Sequence, residues 1–311
     1  MRIAIVGAAG RMGSWFAAFL HKQEHELILI GRRLESVQRL AGSMEGCVAG
    51  SYEDVRHADA VIVSVPLDAV EGVIHDLGHH VEEGQAVIDL SSLKVAPQRA
   101  ADAFMPHACF LGVHPMFGSG ADGWAGHNVI LTPATEGAER LAGKVEGYLT
   151  PLGAHVVMMD PQGHDEVMAL VLGLPALVVA AVARTALDSG RFGLARDVSG
   201  TSLEVLVSLT ESMLCEGSEL YGTLLSQLEA APGIAAALRD SAGHFARLVE
   251  ARDRTSLIEE FSSLGSRLEQ QDHRASHAYA RMYAMLEALK RFPASPDARA
   301  AEADPPPRAG C

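Results

Sequence analysis

The sequence predicts a doubly wound α/β domain with a mostly parallel sheet, followed by an all-helical second domain. Three observations carry this. Short apolar, β-branched runs alternate with helical stretches through the first half. A glycine-rich turn directly follows the first of those runs. After Asp160-Pro161 the strand-like runs stop and long helical stretches take over.

Taken in order, the strands are expected at Arg2–Val6, Leu27–Ile30, Ala60–Ser64, Ala86–Asp89, Phe110–Val113, Asn128–Thr132 and His155–Met158. Most are short and apolar throughout, as strands buried on both faces should be. Helical patterns fall between them at Met12–Lys22, Leu34–Ala41, Val70–Leu77 and Glu136–Leu149. The second half reads as helices over His164–Asp188, Thr201–Glu216, Ser218–Ala230, Ile234–Ala251 and Arg254–Leu289. Pro175 is expected to kink the first of these and Gly265 to break the last.

The expected domains are therefore 1–160 for a dinucleotide and 161–292 for substrate and dimerisation. The segment 293–311, rich in Pro, Ala and charge, has little to bury and is expected to be disordered. Val167–Ala183 is apolar on nearly all sides, so other helices or a second subunit should cover it. This predicts a homodimer.

Composition narrows the function. The 311 residues suffice for two ordinary cores, and the net charge of −14 argues against a surface that holds nucleic acid. An anionic small-molecule substrate must then meet a local positive site. Val167–Ala183 is shorter than the roughly 20 residues of a bilayer span and carries Pro175, so no membrane association is expected. The four cysteines, Cys47, Cys109, Cys215 and Cys311, are isolated, and the N-terminus lacks the features of a signal peptide; both point to the cytoplasm.

The glycine turn places Gly7, Gly10 and Gly13 between a strand and a helix, with Arg11 and Met12 inside it. Such glycines let backbone amides approach a pyrophosphate at a helix N-terminus, the arrangement of a Rossmann sheet. The spacing is GxxGxxG, with Ala9 where GxGxxG has its second glycine. The next strand ends on Arg32 and Arg33, where an NAD site usually carries an acid. A guanidinium suits a 2′-phosphate, which favours NADP over NAD, although either arginine could be a solvated loop residue. Three further segments follow predicted strands and should lie at the carboxyl edge: Val63-Ser64-Val65-Pro66, Asp89–Lys94 and Gly112–Gly118. Ser64, Val65 and Pro66 are expected at the cofactor.

These segments together resemble the TyrA family, the prephenate and arogenate dehydrogenases, especially its compact archaeal-type members. The likeness covers about residues 1–185 and is carried by the glycine turn, the Ser64-Val65-Pro66 turn, Asp89–Lys94, His114-Pro115-Met116-Phe117-Gly118, Val129–Pro133 and His164–Ala169. It implies oxidative decarboxylation of a cyclohexadienol, with hydride passing from ring carbon 4 to a nicotinamide and carbon dioxide leaving ring carbon 1. Aromatisation drives this, so no metal is required. By the same resemblance His114 accepts the hydroxyl proton, a role suited to a side chain that titrates near neutrality. Ser92 would orient that histidine and the substrate, or else cap a helix. Lys94, Met116, Phe117 and Gly118 would meet substrate, with a solvated loop as the other reading of Lys94. His164 and Asp165 read as capping or packing residues.

The chain also departs from the family. Histidines common nine and twelve positions after His164 are replaced by Gly173 and Ala176, and Val198–Leu214 carries no Arg or Lys where a carboxylate-binding arginine is frequent. Arg184, Arg191 and Arg196 are the nearby basic residues. Prephenate, arogenate and 4-amino-4-deoxyprephenate thus remain open as substrates. Two other functions also remain open: a different NADP-dependent reductase of this two-domain plan, and a nicotinamide-binding sensor without catalysis.

Overall fold

The computed structural model describes residues 1–215 and 217–291; the segment 293–311 lies outside the described residues. The chain divides into two compact units. One is Met1–Ala169 with Thr223–Ala230; the other comprises Leu170–Gly222 and the described residues from Ala231 onward.

The first unit is built on eight strands: β1 (Arg2–Val6), β2 (Glu26–Ile30), β3 (Cys47–Ala49), β4 (Ala60–Val63), β5 (Ala86–Asp89), β6 (Cys109–Pro115), β7 (Asn128–Thr132) and β8 (His155–Met158). They lie in the order β3-β2-β1-β4-β5-β6-β7-β8. Pairing is parallel from β3 through β6, antiparallel between β6 and β7, and parallel again between β7 and β8. The strand order reverses between β1 and β4, which opens a crevice beyond their carboxyl ends, the place where such sheets bind ligands.

Six helices accompany these strands: α1 (Arg11–Lys22), α2 (Leu34–Gly42), α3 (Val70–Leu77), α4 (Val95–Phe104), α5 (Glu136–Leu149) and α6 (Pro161–Met168). Alternation along β1 separates two cores. Ile3 and Ile5 pack with Phe16 and Leu20 of α1, Val37 of α2 and Ala142 of α5. Ala4 and Val6 face the other way, toward Val70 and Ile74 of α3 and Ala100 of α4. The central strands thus bury both faces, which is why their sequences are apolar throughout rather than alternating, while the edge strands β3 and β8 stay partly exposed.

The structure differs from the expected elements at several points. β3 is a three-residue edge strand, too short to carry a pattern. β6 extends two residues past the expected end because β7 pairs back against it, His114 opposite Ile130 and Pro115 opposite Val129. His114 therefore sits in a strand rather than in a loop.

The second unit contains α7 (Leu174–Asp188), α8 (Phe192–Asp197), α9 (Thr201–Cys215), the start of α10 (Ser218–Gln227), α11 (Ala231–Glu250), α12 (Arg254–Gln271) and α13 (Ala278–Leu289). Gly265 stays helical. The long stretch breaks instead at Asp272, whose side chain accepts from Arg274 N at 2.9 Å and competes with the helical ladder. Before Pro175 the chain forms a π segment, Ala169–Gly173, which accommodates the missing proline N–H. The resulting helix Pro161–Asp188 has 28 residues and is long and apolar enough, by length and composition, to cross a membrane. The shorter length expected from Val167–Ala183 omits its flanking turns. A helix apolar on most sides is equally what a helical core requires.

Candidate active site

The crevice at the strand reversal holds a cavity of about 700 Å³ lined by Gly7, Gly10, Arg32, Arg33, Ser64, Val65 and Pro66, together with Tyr52 and Asp76. Gly7 N and Ala8 N both donate to Ile30 O, at 2.8 and 3.1 Å, which ties the turn to the end of β2. Gly7 has φ +86°, and a Cβ there would run into the Ser64 carbonyl oxygen. The N-cap of α1 is Gly10, which brings no side-chain acceptor, and the first turn holds no acid. α5, by contrast, is capped by the Thr135 hydroxyl. The α1 terminus is thus a positive helix end without a protein side-chain cap, which fits a pyrophosphate.

Three expected cofactor residues do not line this cavity. A Cβ on Gly13 would collide with Gly7 O, so Gly13 serves close packing of helix on turn. Met12 packs half-buried against the first core, and Arg11 is exposed. Tyr52 and Asp76 were missed by sequence reasoning: Tyr52 opens a short 3-10 turn capped by Ser51 and Asp76 lies near the end of α3, and neither carries a cofactor motif. Burial pushes the Tyr52 phenol up; Asp76 adds to the shift and Arg32 opposes it.

The second centre lies at the ends of β5 and β6. Lys94 is fully buried, at 1% exposure, and its ammonium donates to Asp89 Oδ2 at 2.6 Å, Asp89 O at 2.9 Å and Val113 O at 3.1 Å. Three donors meet three acceptors, so no hydrogen remains for a substrate carboxylate. Lys94 is therefore neither a substrate ligand nor a solvated loop residue. Burial lowers its pKa and the Asp89 charge opposes that shift. Gly112 makes room for it, because a Cβ there would lie 2.7 Å from Lys94 Cδ and strike the Thr132 hydroxyl.

His114 follows Val113 and is 6% exposed. Its Nδ1 lies 2.9 Å from Nε2 of His164, and Nδ1 of His164 lies 2.7 Å from Oδ1 of Asp165. Burial, then the Lys94 ammonium, then His164 hold His114 well below the ordinary 6.5. His164 is also lowered, by burial first, with Asp165 opposing. The result is a neutral imidazole at the carboxyl end of β6, suited to accept a proton.

The expected capping role of His164 does not hold, since Asp160 caps α6 through Gly163 N at 2.9 Å. Asp165 does cap a helix, but a distant one: it accepts from Lys94 N at 2.8 Å and Val95 N at 3.0 Å at the start of α4. That removes the capping alternative for Ser92, which sits half-buried in the turn before α4. His114 is hydrogen-bonded to His164 rather than to Ser92. Sequence reasoning assigned His164 no chemistry because fifty residues separate it from His114.

Among the other expected substrate residues, Met116 N donates to Asn128 O at 2.9 Å and Gly118 is exposed. Phe117 turns away into an aromatic cluster, 5.1 Å from Trp15, 5.3 Å from Trp124 and 4.8 Å from His127. Its ring contacts thereby tie the loop after β6 to α1. In the second unit Arg196 pairs with Glu204 at 2.9 Å, while Arg184 pairs with Asp188 on an exposed helix face and Arg191 is exposed.

A Rossmann sheet with a glycine turn at its switch point defines a dinucleotide-binding fold, and a buried histidine stands at the end of β6 in the same unit. Residues 16–158 match the family described as prephenate dehydrogenase, nucleotide-binding domain, and over this stretch the chain is similar to that family. A probable arogenate/prephenate dehydrogenase of Methanocaldococcus jannaschii is 30% identical over 177 residues, covering 56% of this chain and 40% of the relative. The prephenate dehydrogenase of Bacillus subtilis is 26% identical, covering 57% and 52%. The chain thus spans about half the length of the curated relatives it matches. In fold it is similar to Aquifex aeolicus prephenate dehydrogenase solved with hydroxyphenyl propionate and NAD+. That match has a TM-score of 0.70 and 20% identity, covering 88% of this chain and 98% of the other. Synechocystis arogenate dehydrogenase gives 0.66 and 21%, with 88% and 100% covered.

Proposed function

We propose that this protein oxidatively decarboxylates a cyclohexadienol of the prephenate or arogenate type with a nicotinamide dinucleotide. The observation that carries this is His114, buried and neutral at the end of β6, in the same unit as the dinucleotide cavity. The names of the matched relatives support the same reading. When bound, the dinucleotide supplies the hydride acceptor. The α1 terminus and the Gly7–Gly10 turn hold its pyrophosphate. Arg32 and Arg33 hold a 2′-phosphate, which makes NADP the favoured form over NAD, with Asp76 opposing in the same cavity.

His114 accepts a hydrogen bond from the ring hydroxyl and takes its proton as the oxygen becomes carbonyl-like. Its burial excludes water from that bond. Ser92, in the half-buried turn before α4, orients the substrate from the side. Met116 N is spent on the strand ladder, so its side chain and the exposed Gly118 backbone are the parts of that loop left for contact. Gly173 and Ala176 and the pairing of Arg196 with Glu204 leave the substrate's side-chain group open among prephenate, arogenate and 4-amino-4-deoxyprephenate. The active form is a cytoplasmic homodimer joined through the second unit.

The test is turnover of each of the three substrates with NADP and with NAD, followed by absorbance of the reduced nicotinamide. Turnover of one, faster with NADP, is expected. Silence with all three overturns the proposal.

A further inference from the structure

We propose that His164 and Asp165 act as a positioning pair that fixes the proton of His114 on Nδ1 and so reserves Nε2 to accept the substrate's proton. This rests on the dehydrogenase reading above and adds to it the two residues that set the acceptor.

Backbone N–H groups only donate, and Asp165 receives two of them, Lys94 N on Oδ1 and Val95 N on Oδ2. Both carboxylate oxygens are therefore acceptors. The third group on Oδ1, Nδ1 of His164 at 2.7 Å, must then donate as well. A neutral imidazole carries a single N–H, so Nε2 of His164 is bare. That bare nitrogen lies 2.9 Å from Nδ1 of His114, which must carry a proton to bridge the gap. The neutral His114 ring is left with its lone pair on Nε2. The opposite assignment would set two lone pairs against each other between His164 and Asp165 at 2.7 Å.

The charged groups around the pair agree with this order. The Lys94 ammonium disfavours a charge on either ring, while Asp165 and Asp89 favour one on His164. Both rings therefore rest neutral, yet a carboxylate lies one ring beyond His114 to stabilise the imidazolium that forms in the reaction. The carboxylate need not itself be protonated for this. When the substrate O–H bond breaks, Nε2–H forms and the electron pair stays on oxygen. The aromatic product needs that proton back on the ring oxygen, so Nε2 returns it and no exit route is required. α6 thus delivers two residues, one touching the base and one touching both its partner and the start of α4.

The test reads the tautomer directly, without substrate. In two-bond 15N–1H correlation spectra of histidine-labelled protein, assigned by loss of signals in His114→Gln, wild-type His114 should show Nδ1 protonated and Nε2 bare. An unconstrained imidazole prefers the reverse. Asp165→Asn and His164→Gln should each shift His114 toward Nε2–H. Once the substrate is identified, Asp165→Asn should lower kcat by roughly 10- to 100-fold with dinucleotide Kd unchanged. If wild-type His114 carries its proton on Nε2, the proposal is overturned, and this holds even if a variant fails to fold. An unchanged His114 tautomer in both folded variants also overturns it. Because the spectra need no substrate, a wrong substrate assignment leaves the tautomer result intact; absence of turnover alongside the expected tautomer counts against the reaction instead.

Discussion

At the scale of single residues, the proposed reaction separates His114, the base it requires, from the groups packed around it. His114→Asn keeps a hydrogen-bonding side chain but removes the base. It should lower kcat by roughly 10²- to 10⁴-fold, while calorimetric titration finds dinucleotide affinity unchanged. Lys94 is of the other kind. Lys94→Met leaves the Asp89 carboxylate buried without its cation and should cost about 3–5 kcal/mol in urea unfolding. Adding Asp89→Asn should restore part of that loss, because the near-isosteric amide carries no charge and its oxygen can still accept from Ser91. Legibility at this scale follows how local each signal is. That Gly7, Gly10 and the arginines after β2 line one cavity was readable because the turn and the strand end it meets are close in sequence. The contacts of His164, Asp165 and Lys94 were not, since each is made with partners across the fold. Phe117 shows the same limit: the motif marks its loop, but only the packing shows that the ring faces Trp15 and Trp124.

At the scale of elements, long apolar segments were legible and short or partner-dependent ones were not. β1, β5, β7, β8, α3 and α5 occur at the expected residues, because each carries a full apolar run or helical period. β3 has three residues and no period. β6 lengthens only because β7 pairs with it, information absent from its own composition. The turn from β1 into α1 is the element most sensitive to a single atom. Gly7→Ala forces a side chain onto a left-handed φ and against the Ser64 carbonyl, a strain of about 1–3 kcal/mol. Titration with NADP should show Kd raised by roughly 10-fold or more, and an unchanged Kd would mean that the turn does not carry the phosphates.

At the scale of the molecule, the second unit keeps few buried side chains for its length. α12 has no buried residue, and Ile258, Phe261, Leu264 and Leu268 repeat along it with exposures of 51, 67, 43 and 60%. Their spacing of three, three and four places them on one helix face, which favours a second copy as its cover. Light scattering should find a dimer at micromolar concentration, and Phe261→Glu with Leu268→Glu should give monomers. Acid is the second lever. His114 and His164 are both held below 6.5, so as pH falls the unfolded chain takes up protons that the folded chain refuses. Their effect is absent above the unfolded value and destabilises the fold progressively between it and the depressed ones. Thermal melts should show Tm falling as pH drops below about 6.5, and a smaller fall in His114→Asn.

The Lys94–Asp89 pair has one more consequence, for how the sheet finds its alignment. The ammonium is gripped by Asp89 from β5 and by the Val113 carbonyl from β6, two strands joined in parallel with Asp89 opposite Gly112. A slip of one residue between them would carry the Val113 carbonyl away and leave a cation in a dry interior missing one acceptor. Apolar neighbours alone would tolerate such a slip far better, since these strands are apolar on both faces. The buried charge therefore favours the one alignment of β5 and β6 that leaves it fully paired, and with it the position of His114 one residue beyond Val113.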